Sequence, residues 1–145
     1  MIILDTTVMA YAVGTDHPLR DPCRRILAAH ADARLEATTT VEAIQEFTHI
    51  RARRRTRADA VAVARHFVTA LSPITTSTQD LHRGLQLFQH HQDIGMFDAV
   101  LAAVALGRAA EALVSADRAF ASVPGLRWID PATPAIDGLL GDSQR

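Results

Sequence analysis

The N-terminal stretch "MIILDTTVMAYAVG" (residues 1–14) is the most informative part of the sequence, because an apolar run leads directly into a carboxylate. Residues 2–5 are predicted to form a short buried strand that ends at Asp5. An ionised carboxylate in an apolar setting is costly unless something pairs with it. Asp5 has two interpretations: it caps a helix that begins at Thr6 or Thr7, or it is a ligand at a strand end, where open α/β sheets place their sites. Capping propensity alone favours the first.

The remainder of the chain alternates between short apolar segments and longer helical patterns. Helices are predicted over 18–33, 41–54, 56–71, 77–91 and 96–110. Strands are predicted at the end of 34–40, at 111–117 and at 126–130, with a short one at 73–75, and "PATP" (131–134) is predicted to end the regular structure. In the helix at 56–71, Val61, Ala64, Phe67 and Val68 are predicted to be mostly core, although part of this surface could form a dimer contact. Phe120 and Trp128 are predicted to pack near the last strand. This alternation is typical of an α/β domain with a mostly parallel sheet.

Length and composition fit one globular domain. The 145 residues, 48% hydrophobic with a net charge of −1, predict a single domain over 1–145 whose last few residues are frayed. Cys23 is the single cysteine, so an internal disulfide and a thiolate metal site are excluded. "MIIL" is too short for a signal peptide, and no apolar stretch approaches the length of a membrane span. We therefore expect a soluble, cytoplasmic protein without a membrane partner.

Carboxylates recur at the predicted strand ends and helix starts. Asp5 ends the first strand, Asp98 opens the most apolar helix, and Asp117 follows the strand "ALVS". In a parallel sheet these positions share one edge, so the three should converge there, with Glu46 or Glu42 reaching in from the helix at 41–54. Grouped carboxylates repel each other, and a divalent cation offsets that repulsion. Oxygen ligands suit Mg²⁺ or Mn²⁺.

Each carboxylate also has a purely structural explanation. Asp98 suits the first turn of a helix, and Asp117 suits the N-cap of a short helix over "RAFASV". Glu42 and Glu46 suit a solvated helix surface. These explanations are each plausible alone and less so together, because all the positions fall on one edge of one sheet.

Four segments resemble the PIN domain, and most closely the VapC toxins of bacterial type II toxin–antitoxin modules. They are "MIILDTTVMAYA" (1–12), "TTTVEAIQEFTHI" (38–50), "IGMFDAVLAAVA" (94–105) and "LVSADRAF" (113–120). Each is a weak signal alone, but four in order at suitable spacings are a strong one. The resemblance implies a three-layer α/β/α fold and a metal-dependent endoribonuclease.

The resemblance also implies which residues form the site. The acidic positions of the family correspond to Asp5, Glu46, Asp98 and Asp117. Asp5 and Asp98 would hold one Mg²⁺ or Mn²⁺, with Glu46 and Asp117 secondary. Supporting roles fall to Thr7, where relatives often carry Asn or Ser, to Ser115, where Thr is usual, and to Glu42 as a helper.

The expected partners follow from the same resemblance. They are an RNA substrate, a small VapB-like antitoxin that inserts near the acidic pocket, and a second copy in a homodimer. The segment "RARRRTR" (51–57) offers Arg51, Arg53, Arg54 and Arg55 for contact with RNA phosphates or with an acidic antitoxin segment. A solvated, dipole-stabilised helix end explains these arginines about as well.

Two other functions compete with the nuclease. An aspartyl-phosphate phosphatase usually needs a second aspartate two residues after the first, where this chain has Thr7, and no lysine is present to stabilise a phosphoryl group. A non-catalytic PIN-like binding scaffold is the remaining alternative, and the presence of all four acids ranks it lower.

Overall fold

The computed structural model describes residues 1–141, so the predicted fraying of the last few residues lies outside the described part of the chain. Within these residues, four short strands are interspersed among seven α-helices. In chain order the elements are β1 (Ile2–Leu4), α1 (Thr6–Ala12), α2 (Arg20–Ala31), β2 (Ala37–Thr38), α3 (Val41–Arg54), α4 (Arg57–Leu71), α5 (Thr78–His90), α6 (Met96–Gly107), β3 (Ala112–Val114), a 3₁₀ turn (Arg118–Ser122), β4 (Trp128–Ile129) and α7 (Ala135–Leu140).

The strands form one parallel sheet in the order β2-β1-β3-β4. In β1, Ile3 pairs with Thr38 of β2 on one side and with Leu113 of β3 on the other. The predicted strand at 73–75 is reduced to a single parallel bridge between Thr40 and Ile74. Since β1 and β3 are adjacent, the segments that leave their carboxyl ends start side by side.

Helices cover both faces of the sheet, which gives three layers. Alternate side chains of a strand point to opposite faces, so Ile2 and Leu4 pack in one core cluster and Ile3 packs in another. The first cluster draws on α1, α2, α3, α4 and α7, and the second draws on α6 and on Phe120 of the 3₁₀ turn. The predicted α/β class with a mostly parallel sheet is therefore confirmed, and the sheet is wholly parallel.

Helix α5 packs on α6 at a close approach rather than through large side chains. A Cβ added to Gly84 would lie 2.7 Å from Cγ2 of Val100, so only glycine permits this contact. Three large apolar side chains of α5 are exposed: Leu81, Leu85 and Phe88.

The burial of α4 differs from the prediction. Ala64 and Phe67 are buried as expected, but Val61 and Val68 are 42% and 47% exposed. The buried residues of α4 follow a narrow stripe at helical spacing: Ala60, Ala64, Phe67 and Leu71. Val61 and Val68 each follow a stripe residue by one position, about 100° around the helix, and so face outward.

Regular structure continues past "PATP", contrary to the prediction. Helix α7 starts at Ala135, and Ile136, Leu139 and Leu140 are buried in the first core cluster. Their i, i+3, i+4 spacing gives this short helix an apolar face. Such a helix has too few turns for its periodicity to stand out in the sequence, and packing against the core sustains it.

The predicted environments of two aromatic residues are confirmed. Phe120 is fully buried, and Trp128 is partly buried against the same cluster, where its indole N–H donates to the carbonyl of Ser115 at 2.9 Å. Within residues 1–141, no helix combines the length and the apolar character needed to cross a bilayer.

Candidate active site

The four predicted acids line one cavity at the carboxyl edge of the sheet. Asp5 follows β1, Asp117 follows β3, Asp98 lies in the first turn of α6, and Glu46 lies on α3. A cavity of about 450 Å³ has all four in its wall. The parallel sheet thus brings together residues that are up to 112 positions apart in the sequence.

Three donors hold one oxygen of Asp5. The Thr7 hydroxyl donates to Oδ2 at 2.8 Å, the Ser115 hydroxyl donates to it at 2.7 Å, and the Thr7 backbone N–H donates to it at 3.3 Å. No protein donor within residues 1–141 reaches Oδ1. The side chain is 4% exposed, so these bonds fix a nearly buried carboxylate and leave one oxygen to bind a ligand.

The two hydroxyls that hold Asp5 also connect the neighbouring strand exits. Thr7 Oγ1 accepts the backbone N–H of Ala116 at 3.1 Å, and Ser115 Oγ accepts that of Asp117 at 2.9 Å. Each hydroxyl donates its single proton to Asp5, and its oxygen lone pairs accept the backbone N–H groups. The structure thus places the predicted supporting residues Thr7 and Ser115 directly against Asp5.

Glu46 is held by a residue that the sequence analysis did not single out. The Thr6 hydroxyl lies 2.7 Å from Oε2 of Glu46 and 3.2 Å from the carbonyl of Ala43. The only sequence signal for this role is that Thr6 carries a hydroxyl directly after Asp5. Nothing in the local pattern shows that it faces a glutamate 40 positions away.

Glu42 lies one helical turn from Glu46 and has a different environment. Its Oε2 accepts a hydrogen bond of 2.8 Å from the Thr76 hydroxyl. It lines a second cavity but not the one that contains Asp117.

Asp98 is the electrostatic centre of the group. Burial, together with the charges of Asp5, Asp117 and Glu46, raises the pKa of Asp98 from its ordinary value of 3.8 to about 7. No protein donor within residues 1–141 reaches its carboxylate to offset these effects. Asp98 therefore has no internal partner that stabilises its ionised form.

The capping interpretation is confirmed, and it is compatible with a role of the same residues in the site. Asp5 is the N-cap of α1, and Asp117 caps the 3₁₀ turn, where its Oδ1 accepts the Ala119 N–H at 2.9 Å. Asp98 occupies the third position of α6, where the helix dipole favours a carboxylate. Each capping bond uses one oxygen and fixes the orientation of the other, so capping contributes to the rigidity of the site.

The donor set suits a hydrated, hard divalent cation. All four side chains offer only oxygen ligands, which Mg²⁺ and Mn²⁺ prefer. Within residues 1–141, no three or more Asp, Glu, His or Cys side chains lie close enough together to hold a metal ion between them. Mg²⁺ is commonly bound through one or two carboxylates and keeps several waters, so an open group of acids is compatible with it.

An apolar cavity adjoins the acids on the other side. This cavity of about 680 Å³ shares Asp5, Glu46 and Asp98 with the acidic one. Its apolar wall consists of Leu81, Met96, Phe97, Val100 and Leu101. Phe97 is 81% exposed and directly precedes Asp98, and the sequence analysis did not identify it.

The arginine-rich segment separates into residues with different surroundings. Arg51 has structural partners. Its guanidinium donates hydrogen bonds of 2.6 and 3.1 Å to the carboxylate of Asp59 and one of 3.1 Å to the Val13 carbonyl. Arg54 is exposed and lines the acidic cavity, and Arg55 lines a neighbouring cavity. Arg53 is exposed and lines neither of these.

The fold and this edge of the sheet define a PIN-type α/β domain, and sequence comparison agrees. A sequence model of the PIN domain matches residues 2–126, and the chain belongs to the PIN domain family. It is 51% identical to Ribonuclease VapC7 of Mycobacterium tuberculosis over 98% of this chain and 99% of that protein. It is 29% identical to Ribonuclease VapC23 of the same species over 84% and 97%.

Solved structures show the same fold at low sequence identity. A VapBC2 structure from Rickettsia felis, bound to a DNA fragment from its promoter, superposes with a TM-score of 0.73 and 19% identity, covering 90% of this chain and 98% of that one. Mycobacterium tuberculosis VapC20, described as a toxin that cleaves the Sarcin-Ricin loop, superposes with a TM-score of 0.72 and 18% identity, covering 83% and 93%.

Proposed function

We propose that this protein is a metal-dependent endoribonuclease and the toxin of a toxin–antitoxin pair. The observation that carries the proposal is the position of Asp98, whose pKa is raised by burial and by three further carboxylates around one cavity. An arrangement that costs electrostatic energy is expected where a cation offsets it during function. The 51% identity to a protein named as a ribonuclease supports the same activity.

In this proposal Asp5 and Asp98 would hold one Mg²⁺ or Mn²⁺, and Glu46 and Asp117 would complete the site through waters or a second ion. Such an ion polarises a phosphoryl oxygen and lowers the pKa of a bound water. The donors around Oδ2 of Asp5 keep its other oxygen in a fixed orientation. Thr6 does the same for Glu46, so both carboxylates are positioned before substrate arrives.

The reaction is hydrolysis of an RNA phosphodiester. Water attacks phosphorus, the 3′ oxygen leaves and takes a proton, and the products carry a 5′-phosphate and a 3′-hydroxyl. The carboxylates that line the cavity are the available proton acceptors for the attacking water. A cytoplasmic location, where RNA is present, is part of the proposal.

The proposed protein partners are a VapB-like antitoxin and a second copy of the chain. Three of the similar solved structures, from Rickettsia felis, nontypeable Haemophilus influenzae and Salmonella typhimurium, are described as VapBC. The apolar wall around Phe97 lies beside the acids, where an antitoxin segment would block access to them. The homodimer is testable by light scattering of the purified protein.

Cleavage of total RNA tests the activity. Purified protein is incubated with RNA and Mg²⁺ or Mn²⁺, beside an EDTA control and an Asp5→Asn control, and the cut ends are mapped. Discrete cuts with 5′-phosphate ends, absent in both controls, are expected. Cuts that persist in EDTA, or that Asp5→Asn leaves unchanged, contradict the proposal.

A further inference from the structure

A continuous groove leads from the acids toward the arginine-rich end of α3. The acidic cavity and a neighbouring cavity of about 460 Å³ share five lining residues, so they adjoin: Ala10, Gly14, Thr15, Ile50 and Arg54. One end of the groove carries the four carboxylates. The other end carries Arg51 and Arg55.

Arg54 lies where the groove changes from acidic to basic. Glu46, Ile50 and Arg54 are spaced four residues apart and so share one face of α3. Eight residues of helix separate the Cα atoms of Glu46 and Arg54 by about 12 Å along the axis. A guanidinium that lines the same cavity is within reach of phosphates that neighbour a scissile one.

The charge of Arg54 is available to a ligand. Arg51, one turn earlier, is neutralised by Asp59, which holds it with two hydrogen bonds. Within residues 1–141, no carboxylate pairs with Arg54, and its side chain is exposed.

An aromatic pair forms another part of the groove wall. The rings of Tyr11 and His17 stack with centroids 4.5 Å apart and an interplanar angle of 28°, and both residues line the acidic cavity. The Leu19 backbone N–H donates to Nδ1 of His17 at 3.1 Å, which fixes the imidazole. Tyr11 covers one face of the ring and His17 is exposed, so the opposite face is the one that a planar ligand would contact.

We propose that this groove binds the nucleotides that flank the cleaved bond of a single-stranded RNA. Arg54 contacts a phosphate next to the scissile one, a flanking base stacks on the open face of His17, and the strand continues toward Arg55. Unpaired bases stack on aromatic side chains, and arginine suits phosphate. The inference rests on the proposed ribonuclease function and adds the path of the strand.

Binding measured in EDTA tests this path separately from catalysis. A fluorescent, random-sequence, single-stranded 12-nucleotide RNA is titrated at pH 8 with the wild type and the variants Arg54→Ala, His17→Ala and His17→Phe. Arg65→Ala is the matched control, because Arg65 is an exposed arginine of α4 outside both cavities. Circular dichroism melts verify that all variants are folded.

Arg54→Ala is expected to weaken binding about five- to tenfold and to reduce the slope of log affinity against log salt by about 0.7. His17→Ala is expected to weaken binding about tenfold with an unchanged slope, and His17→Phe should restore it because a ring is retained. Equal effects of Arg54→Ala and Arg65→Ala, failure of His17→Phe to restore binding, or no RNA binding by the wild type would overturn the inference. The inference would also be overturned if the protein bound an acidic peptide through Arg54 but did not bind RNA.

The two proposals fail in different ways. If the wild type binds RNA through Arg54 and His17 but does not cleave it, the proposed nuclease function is wrong and the proposed groove stands. An Arg54→Ala variant that cleaves RNA with the same KM as the wild type would contradict the groove and leave the nuclease function standing.

Discussion

The Ser115 hydroxyl donates a hydrogen bond of 2.7 Å to Oδ2 of Asp5, from the exit of β3 to the exit of the adjacent strand β1. Both residues are almost wholly buried, so the bond is shielded from water and holds a fixed geometry. It connects the position of an acid to the register of the sheet.

Replacing Ser115 by alanine should therefore reduce activity more than it reduces stability. The Asp5 carboxylate loses one of three donors, and the N–H of Asp117 loses its acceptor. We expect RNA cleavage to fall about 10- to 100-fold and the free energy of unfolding to fall by about 1–2 kcal/mol. Single-turnover cleavage and urea unfolding measure the two effects. Ser115→Thr, which keeps the hydroxyl, is the control, and an Ala variant as active as the Thr variant would contradict the role.

Thr6 should position Glu46 in a similar way. Thr6→Val keeps the shape of the side chain and removes the hydroxyl that lies 2.7 Å from Oε2 of Glu46. We expect about a tenfold loss of cleavage rate with little change in fold, because Glu46 is exposed and can rotate once released. If Thr6→Val cleaves RNA as fast as the wild type, the hydrogen bond does not contribute to positioning.

The raised pKa of Asp98 predicts a pH-dependent stability. The folded protein without metal holds a proton on Asp98 up to about pH 7, whereas the unfolded chain releases it near the ordinary value of 3.8. The free energy of unfolding should therefore fall as the pH rises from about 4 to about 7. Asp98→Asn removes this penalty, so in EDTA at pH 8 it should be about 1–2 kcal/mol more stable than the wild type, after allowance for solvent screening.

Urea unfolding at pH 5 and pH 8 measures that difference. The difference between the variant and the wild type should be smaller at pH 5 than at pH 8, and it should vanish only below about pH 4, where the unfolded chain is protonated as well. An Asn variant that is less stable than the wild type at pH 8 would show that the ionised carboxylate is stabilised in the fold.

Asp80 should matter for the fold and not for the chemistry. Burial alone would raise its pKa, but the Ser77 backbone and hydroxyl donors and the charge of Arg108 outweigh burial and lower the pKa. Asp80 and Ser77 form the capping box of α5, and Arg108 lies 3.4 Å from the carboxylate. Asp80→Ala is expected to cost about 2–4 kcal/mol, because it uncaps α5 and leaves Arg108 without its partner.

The thermal midpoint reports this loss, and Asp93→Ala, an exposed acid in the loop before α6, is the control. The effect of Asp80→Ala should shrink as the pH falls. Protonation of Asp80 in the wild type then weakens its contacts with Ser77 and Arg108, so less is lost when the carboxylate is removed. Equal midpoints for the two variants would contradict a structural role for Asp80.

The sequence predicted that the three aspartates lie together because their positions follow from the ends of the strands. Asp5, Asp98 and Asp117 come directly after strands or at helix starts, so a parallel sheet places them on one edge whatever the side-chain details. The fold class followed from the same alternation of strands and helices. The cap that Asp5 forms on α1 was an equally local signal.

The remaining features depend on distances between elements that no local pattern contains. Thr6 meets Glu46 only because α1 packs beside α3, and the stack of Tyr11 on His17 depends on the turn after α1. Arg51 and Arg54 are indistinguishable by composition, yet Asp59 neutralises only the former among the described contacts. Helix α7 was missed because packing, rather than helix propensity, sustains it.

The most direct test of the four-carboxylate site is a calorimetric titration of Mn²⁺ into the wild-type protein and the Asp98→Asn variant at pH 8. If Asp98 is a ligand at the centre of the group, the wild type should bind Mn²⁺, and the variant, which is at least as stable, should bind at least tenfold more weakly. Equal binding by both proteins, or no binding by the folded wild type, would contradict the claim that these carboxylates form a divalent-cation site.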